Sequence, residues 1–292
     1  LEDDQAGRSC SYLIRTGKTT LIDPGPATSA PRVLRALETA GIGVDLILLT
    51  HLHPEAAAGA GVIAGCFPGA TIAGPAGATT ILTDPPTMIS EMKKIYGERV
   101  EEMYGRPDAI DPGRIRELED DARIDLGDRE IEVIATPGHT AAHLSFFDPA
   151  TSSLFCGDAL GTQLPGSRMV RPSTPPCDFS LEDALASIGK LASVGAATVY
   201  LAHYGAAEPG PEEIFERAAN SLKAWHRSFL RKREQTESDE DLSRQFNACL
   251  EASLEPIAPS ARRDLERVSP AWLNLAGLTA EQNRLGQLRD AA

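Results

Sequence analysis

Leu46-Ile47-Leu48-Leu49-Thr50-His51-Leu52-His53-Pro54-Glu55-Ala56-Ala57-Ala58-Gly59 is the stretch around which the chain is organised. The unbroken apolar run from Leu46 to Leu49 predicts a buried strand. It stops at Thr50. Two histidines follow at i and i+2, and a carboxylate at i+4 from the first. Pro54, Glu55 and the small residues after them suit the first turn of a helix. A strand end that delivers two imidazoles and a carboxylate into one small volume has the donor types of a metal site. Two histidines in a surface loop share the same spacing, so the remainder of the chain has to decide.

The chain has 292 residues and a formal net charge of −14. That length fits one large domain, or a domain with an appendage. It buries roughly three quarters of the unfolded surface and needs no covalent staples. The acidic balance, with no basic patch to offset it, excludes nucleic acid and anionic membrane surfaces as partners; its plain role is solubility. No stretch has the length and apolarity of a membrane span, and no charged-then-apolar leader precedes the first strand. A cytoplasmic protein is expected. The sequence opens on Leu1 rather than Met, so trimming or a cleaved leader stays open. Five cysteines, Cys10, Cys66, Cys156, Cys177 and Cys249, are scattered without a CxxC pair. This argues against a disulfide framework or thiolate zinc knuckle and for buried, reduced thiols.

In chain order, Tyr12–Ile14 and Thr19–Ile22 predict a hairpin around Thr16-Gly17-Lys18, ended by Asp23-Pro24-Gly25-Pro26. Pro31–Ala40 predicts an amphipathic helix burying Val33, Leu34 and Leu37. A strand over Ala70–Ala73 follows the central turn. Residues 83–121 break the rhythm and predict a helical insertion, either a lid or a solvated surface excursion. Arg123–Leu126 and Glu130–Ala135 predict a second hairpin around Gly127-Asp128. Then come Thr136-Pro137-Gly138-His139-Thr140-Ala141-Ala142-His143, a strand from Leu144 to Phe147, and Ser153-Leu154-Phe155-Cys156-Gly157-Asp158. A loop rich in Pro, Gly and Arg runs from Gly161 to Phe179. Leu181–Leu191 predicts a helix, and Ala197–Ala202 a short strand ending at His203. From Pro211 the period is helical, with a polar linker over Gln235–Asp241 and two or three further helices. Strand ends repeatedly deliver a polar residue: His51, His139, Asp158, His203.

These segments resemble the metallo-β-lactamase superfamily, the group that includes glyoxalase II and many thioesterases, lactonases and amidases. The resemblance covers about residues 10 to 205 and carries five motifs in the family's order: Ile22-Asp23-Pro24-Gly25, the Thr50-His51-Leu52-His53 segment, Thr136-Pro137-Gly138-His139, Phe155-Cys156-Gly157-Asp158 and His203. It implies an α/β fold, a four-layer αβ/βα sandwich with its metals at one edge. The sandwich domain would span residues 1–207, including the insertion, and a C-terminal helical extension residues 208–292. By the same resemblance His51, His53 and His139 map onto the first metal site, and Asp158 bridges to a second. Zinc, iron or manganese, as one or two ions, fits those ligands.

The second site departs from the family. The pattern HxHxDH reads here as His51-Leu52-His53-Pro54-Glu55-Ala56. The aspartate is Glu55, one methylene longer, and the next histidine is Ala56, which binds nothing. Glu55, Asp158 and His203 are left for a second ion. Three outcomes follow: the protein works with one metal, a water or His143 fills the vacancy, or hydrolytic activity is lost.

Three functions follow from this arrangement. The first is a metal-dependent hydrolase using a metal-activated water on an ester, thioester, lactone or amide bond, with Glu55 and Asp158 as catalytic residues. The second is a mononuclear iron oxidoreductase resembling persulfide dioxygenases. The third is a catalytically retired binding protein on the same scaffold. A small-molecule substrate would meet His143, Arg168, Arg171 or Tyr204. Each has a plainer role beside that one: packing for His143 and Tyr204, a surface ion pair for the arginines. The helical tail either covers the pocket or forms a homodimer contact.

Overall fold

The computed structural model describes residues 9–176, 178–253 and 259–290, so the expectations about Cys177 and the start of the chain lie outside the described residues. The chain forms two compact units. One runs up to Ala135 and includes Ala142–Gly157; the other consists of Thr136–Ala141 and the described residues from Asp158 onward.

The first unit begins with the expected hairpin, β1 (Tyr12–Arg15) and β2 (Thr19–Ile22), followed by α1 (Ala30–Ala40), β3 (Leu46–Leu48), α2 (Pro54–Ala57), α3 (Ala60–Cys66) and β4 (Thr71–Gly74). Helices α4 (Ala78–Thr83), α5 (Pro85–Tyr96) and α6 (Val100–Tyr104) lead to β5 (Ile115–Glu117). The sheet order is β1-β2-β3-β4-β5, with the β1–β2 pair antiparallel and the others parallel. The central strand β3 is buried along its whole length, as a parallel strand covered on both faces must be.

Residues 83–121 are not a solvated excursion. Met88, Met92, Val100 and Ile110 join Ile47, Ile63 and Ile72 in one apolar cluster. The end of the segment, Ile115–Glu117, extends the sheet as β5. Its three residues carry too little alternation to register as a strand in sequence.

The same unit holds a second, antiparallel sheet: β6 (Arg123–Asp125), β7 (Glu130–Ala135), β8 (Leu144–Asp148) and β9 (Ser153–Phe155). All residues of β8 are buried. Cys156 beyond β9 is buried as expected, but Cys66 at the end of α3 is exposed, contrary to the expectation of buried thiols.

The second unit contains a short antiparallel pair, β10 (Thr162–Gln163) with β11 (Val170–Arg171), then α7 (Leu181–Ala192), β12 (Thr198–Tyr200), α8 (Pro211–Arg233), α9 (Asp239–Ser253), α10 (Pro259–Val268) and α11 (Ala271–Asp290). The predicted linker over Gln235–Asp241 is shorter than expected, because Asp239, Glu240 and Asp241 make up the acidic first turn of α9. Ile214, Leu222, Phe229, Phe246, Leu265 and Leu278 are buried. Trp225 and Phe246 meet edge to face at 5.5 Å. Among the described residues no helix is long and apolar enough to cross a membrane.

Candidate metal centre

In the first unit the backbone leaves β3 at Thr50 and turns into α2 through His51, Leu52 and His53. His53 has extended geometry (φ −69°, ψ 153°) and Pro54 opens the helix, so His53 and Glu55 fall on either side of its start. His51 Nε2 lies 4.0 Å from Glu55 Oε1, and His53 Nδ1 lies 3.6 Å from the same oxygen. Each of the three residues offers one ligand atom, and these atoms lie within 4.8 Å of one another. Two imidazole nitrogens and a carboxylate oxygen at that spacing suit a divalent ion of the zinc, iron or manganese kind.

The orientation of His51 is set from behind. Asp23, held at φ +48°, accepts the Thr50 N–H at Oδ1 and the Thr50 hydroxyl at Oδ2, both at 2.8 Å. Thr50 Oγ1 also sits 2.9 Å from His51 Nδ1. The hydroxyl has one proton and gives it to a carboxylate, which has none to offer. Nδ1 therefore carries the ring proton, and Nε2 presents its lone pair on the Glu55 side.

His143 is buried and stacks on His51 at 5.2 Å. A Cβ at Gly157 would come within 2.7 Å of His143 Nε2 and of Thr50 Oγ1, and φ there is +50°. Only glycine fits. His143 thus packs behind the turn, against the His51 ring.

In the second unit, Thr136–Ala141 lies along the start of α7. Ser180 N–H donates to Gly138 O, and Ser187 Oγ donates to Pro137 O. His139 is buried, with Nδ1 3.2 Å from Ser173 O. A carbonyl only accepts, so Nδ1 bears the proton here too and Nε2 is the donor atom. His203 lies in a tight turn closed by Leu201 N–H to Gly205 O, and its Nε2 is 3.6 Å from Asp158 Oδ1. Asp158 and His203 are both buried. Tyr204 follows at φ +63° with its hydroxyl buried. A pocket opens beside His139 and Asp158, walled by Leu160, Phe179, Ile188 and Leu222.

Arg168 and Arg171 each form an ion pair, the plainer of the two roles expected for them. Arg168 is exposed and bonds Glu213. Arg171 is only 2 % exposed. Its Nη1 donates to Glu266 Oε1 at 2.6 Å and to Ser269 O at 2.7 Å, and its guanidinium lies over Trp225. Burial lowers its pKa, with Glu266 opposing.

The profile of the metallo-β-lactamase superfamily matches residues 5–203. The chain belongs to the metallo-β-lactamase superfamily. A hydroxyacylglutathione hydrolase of Acidiphilium cryptum is 34% identical over 145 residues, 49% of this chain and 45% of that protein. One of Cupriavidus taiwanensis is 30% identical over 187 residues, 63% of this chain and 58% of that protein. The chain thus spans about half the length of the curated relatives it matches. Among solved structures, an archaeal superfamily member from Sulfolobus tokodaii superposes with a TM-score of 0.69 at 22% identity, covering 95% of this chain and 94% of that one. A family member from Thermus thermophilus gives 0.63 at 23% identity, over 95% and 88%. These likenesses extend through the helical tail and bear out the expected fold class.

Within this superfamily fold, Ala56 is 3 % exposed and its carbonyl accepts the Gly25 N–H at 3.1 Å. The position where the family has a histidine is packed beneath the Asp23–Pro26 turn. Sequence reasoning marked Asp23 as part of a family motif but did not assign its bond to Thr50. The Ser173 carbonyl was missed altogether, because a backbone acceptor leaves no residue-type signal.

Proposed function

We propose that this chain is a metal-dependent hydrolase that cleaves an ester, thioester, lactone or amide bond with a metal-activated water. The observation that carries the reading is the gathering of His51, His53 and Glu55 donor atoms within 4.8 Å at one strand end. On the family pattern, His139, Asp158 and His203 complete the ligand set. Zinc suits these donors, and iron and manganese are compatible with them. The relatives named hydroxyacylglutathione hydrolase make an acylated thiol the first substrate class to test.

An ion held there lowers the pKa of a bound water toward neutrality and polarises a carbonyl. The side chains supply the rest. The Asp23–Thr50 pair and the Ser173 carbonyl hold His51 and His139 with Nε2 unprotonated. Glu55 lies within 4.0 Å of both neighbouring rings, and its carboxylate accepts the proton that the attacking water gives up. Its extra methylene relative to aspartate lets it serve as a base rather than as a tight ligand. Ala56 removes one nitrogen donor, so a single ion at full occupancy is the expected state.

The test is metal analysis of the purified protein combined with hydrolysis of acylated thiols, esters and lactones. Bound zinc with turnover on one of these supports the reading. Oxygen consumption on a thiol substrate by iron-loaded protein would replace it with the oxidoreductase. Protein that neither carries nor takes up metal would favour the retired binding protein.

A further inference from the structure

The last helix reaches the segment that carries the partner of His139. Four residues of α11 lie three or four positions apart on one face and meet the backbone of the segment between β11 and α7. Asn274 Oδ1 accepts the Thr174 N–H at 2.6 Å, and Asn274 O accepts the Thr174 hydroxyl at 2.9 Å. The amide's other end is fixed as well, since Nδ2 donates to Ser269 Oγ at 2.9 Å and to Pro270 O at 3.2 Å. Gly277 lies so close that a Cβ there would stand 1.9 Å from Thr174 O. Glu281, 4 % exposed, accepts the Leu181 N–H at 2.5 Å. Arg284 donates to Phe179 O. In that same segment, Ser173 O accepts the hydrogen bond from His139 Nδ1–H, and Phe179 walls the pocket beside His139 and Asp158.

We infer that Asn274 and Glu281 are positioning residues for His139: the last helix clamps Thr174, Phe179 and Leu181 and so places the Ser173 carbonyl that fixes the His139 ring. The inference rests on the metal-site reading above. It makes the helical tail part of the site's support rather than an appendage. Outer partners of ligating histidines govern metal affinity by about 10–100-fold, which sets the size of the expected effect.

The experiment titrates metal-free full-length protein with Co2+, following visible absorption, for wild type, Asn274→Ala, Glu281→Ala and Glu281→Gln. Leu37→Ala, a buried substitution on α1, serves as the stability control. Expected are about ten-fold weaker Co2+ binding and an altered absorption band in Asn274→Ala and Glu281→Ala. Glu281→Gln, whose side-chain oxygen still accepts the Leu181 N–H, and Leu37→Ala should bind like wild type. Equal affinity and spectra in all folded variants, or equal weakening in Leu37→Ala, overturn the inference alone. A wild type that takes up no Co2+ overturns the metal reading itself and the inference with it.

Discussion

The turn after β3 and the segment before α7 each hold an imidazole by a bond to its Nδ1, and they are themselves held by opposite means. The turn is fixed from its own neighbourhood: Thr50 contacts His51 beside it, and Asp23 lies 27 positions away at the end of the adjacent strand. The segment carrying Ser173 is fixed by α11, with Asn274 and Glu281 each 100 positions from the atoms they bind. The short-range clamp lies within the first unit. The long-range clamp lies within the second unit and depends on the last helix.

The largest effect expected from breaking the short-range side is at Glu55. Glu55→Gln keeps the shape but removes the base, and turnover should fall about 10²–10⁴-fold with metal content unchanged. Steady-state kinetics beside metal analysis checks it; unchanged turnover removes Glu55 from the chemistry.

Thr50→Val comes next. It cuts the Asp23–Thr50–His51 chain without changing side-chain size, so metal should bind about 10–100-fold more weakly in a Co2+ titration. Native affinity in that variant would mean that the turn holds its ring by packing alone, and the comparison with the Ser173 side would lose its basis.

Gly157→Ala strains a left-handed residue and presses on both His143 and Thr50. A loss of roughly 2–4 kcal/mol in urea unfolding is expected from overpacking and backbone strain together. A near-neutral result would show that the turn gives way easily.

The smallest effect belongs to the long-range side. Burial raises the Glu281 pKa, against the Leu181 N–H that lowers it. A carboxyl whose pKa is raised on folding binds its proton more tightly in the folded state. Its contribution to stability is therefore complete below the ordinary carboxylate range and is lost as pH rises through the folded pKa. Glu281→Gln should flatten that part of the stability profile in thermal melts across mildly acidic pH. An unchanged profile would assign the dependence to other groups.

The contrast also explains what could be read from sequence. The central strand, its HxH turn, both hairpins and the helical tail were legible, because each is signalled by local periodicity or turn residues. His51, His53 and Glu55, whose donor atoms lie together, were legible as residues at a strand end. Strand β5 was not, since three residues, Ile115–Glu117, carry no usable period. Arg171 suggested a substrate contact by its loop position, yet it is buried against Glu266 and Trp225, partners about 95 and 54 positions further along. Nor could spacing show that Asn274 and Glu281 reach back to the segment beside His139. Contacts made through backbone carbonyls and amides leave no mark on residue type.

The central claim is that His51 and His53 hold an ion at the end of β3, beside the carboxylate of Glu55. Metal stoichiometry of the purified wild type beside His53→Ala, measured by mass spectrometry after identical loading, tests it most directly. One tightly held ion per chain is expected in the wild type, and loss of that ion in His53→Ala. Equal metal content in the two proteins, or none in either, would contradict it.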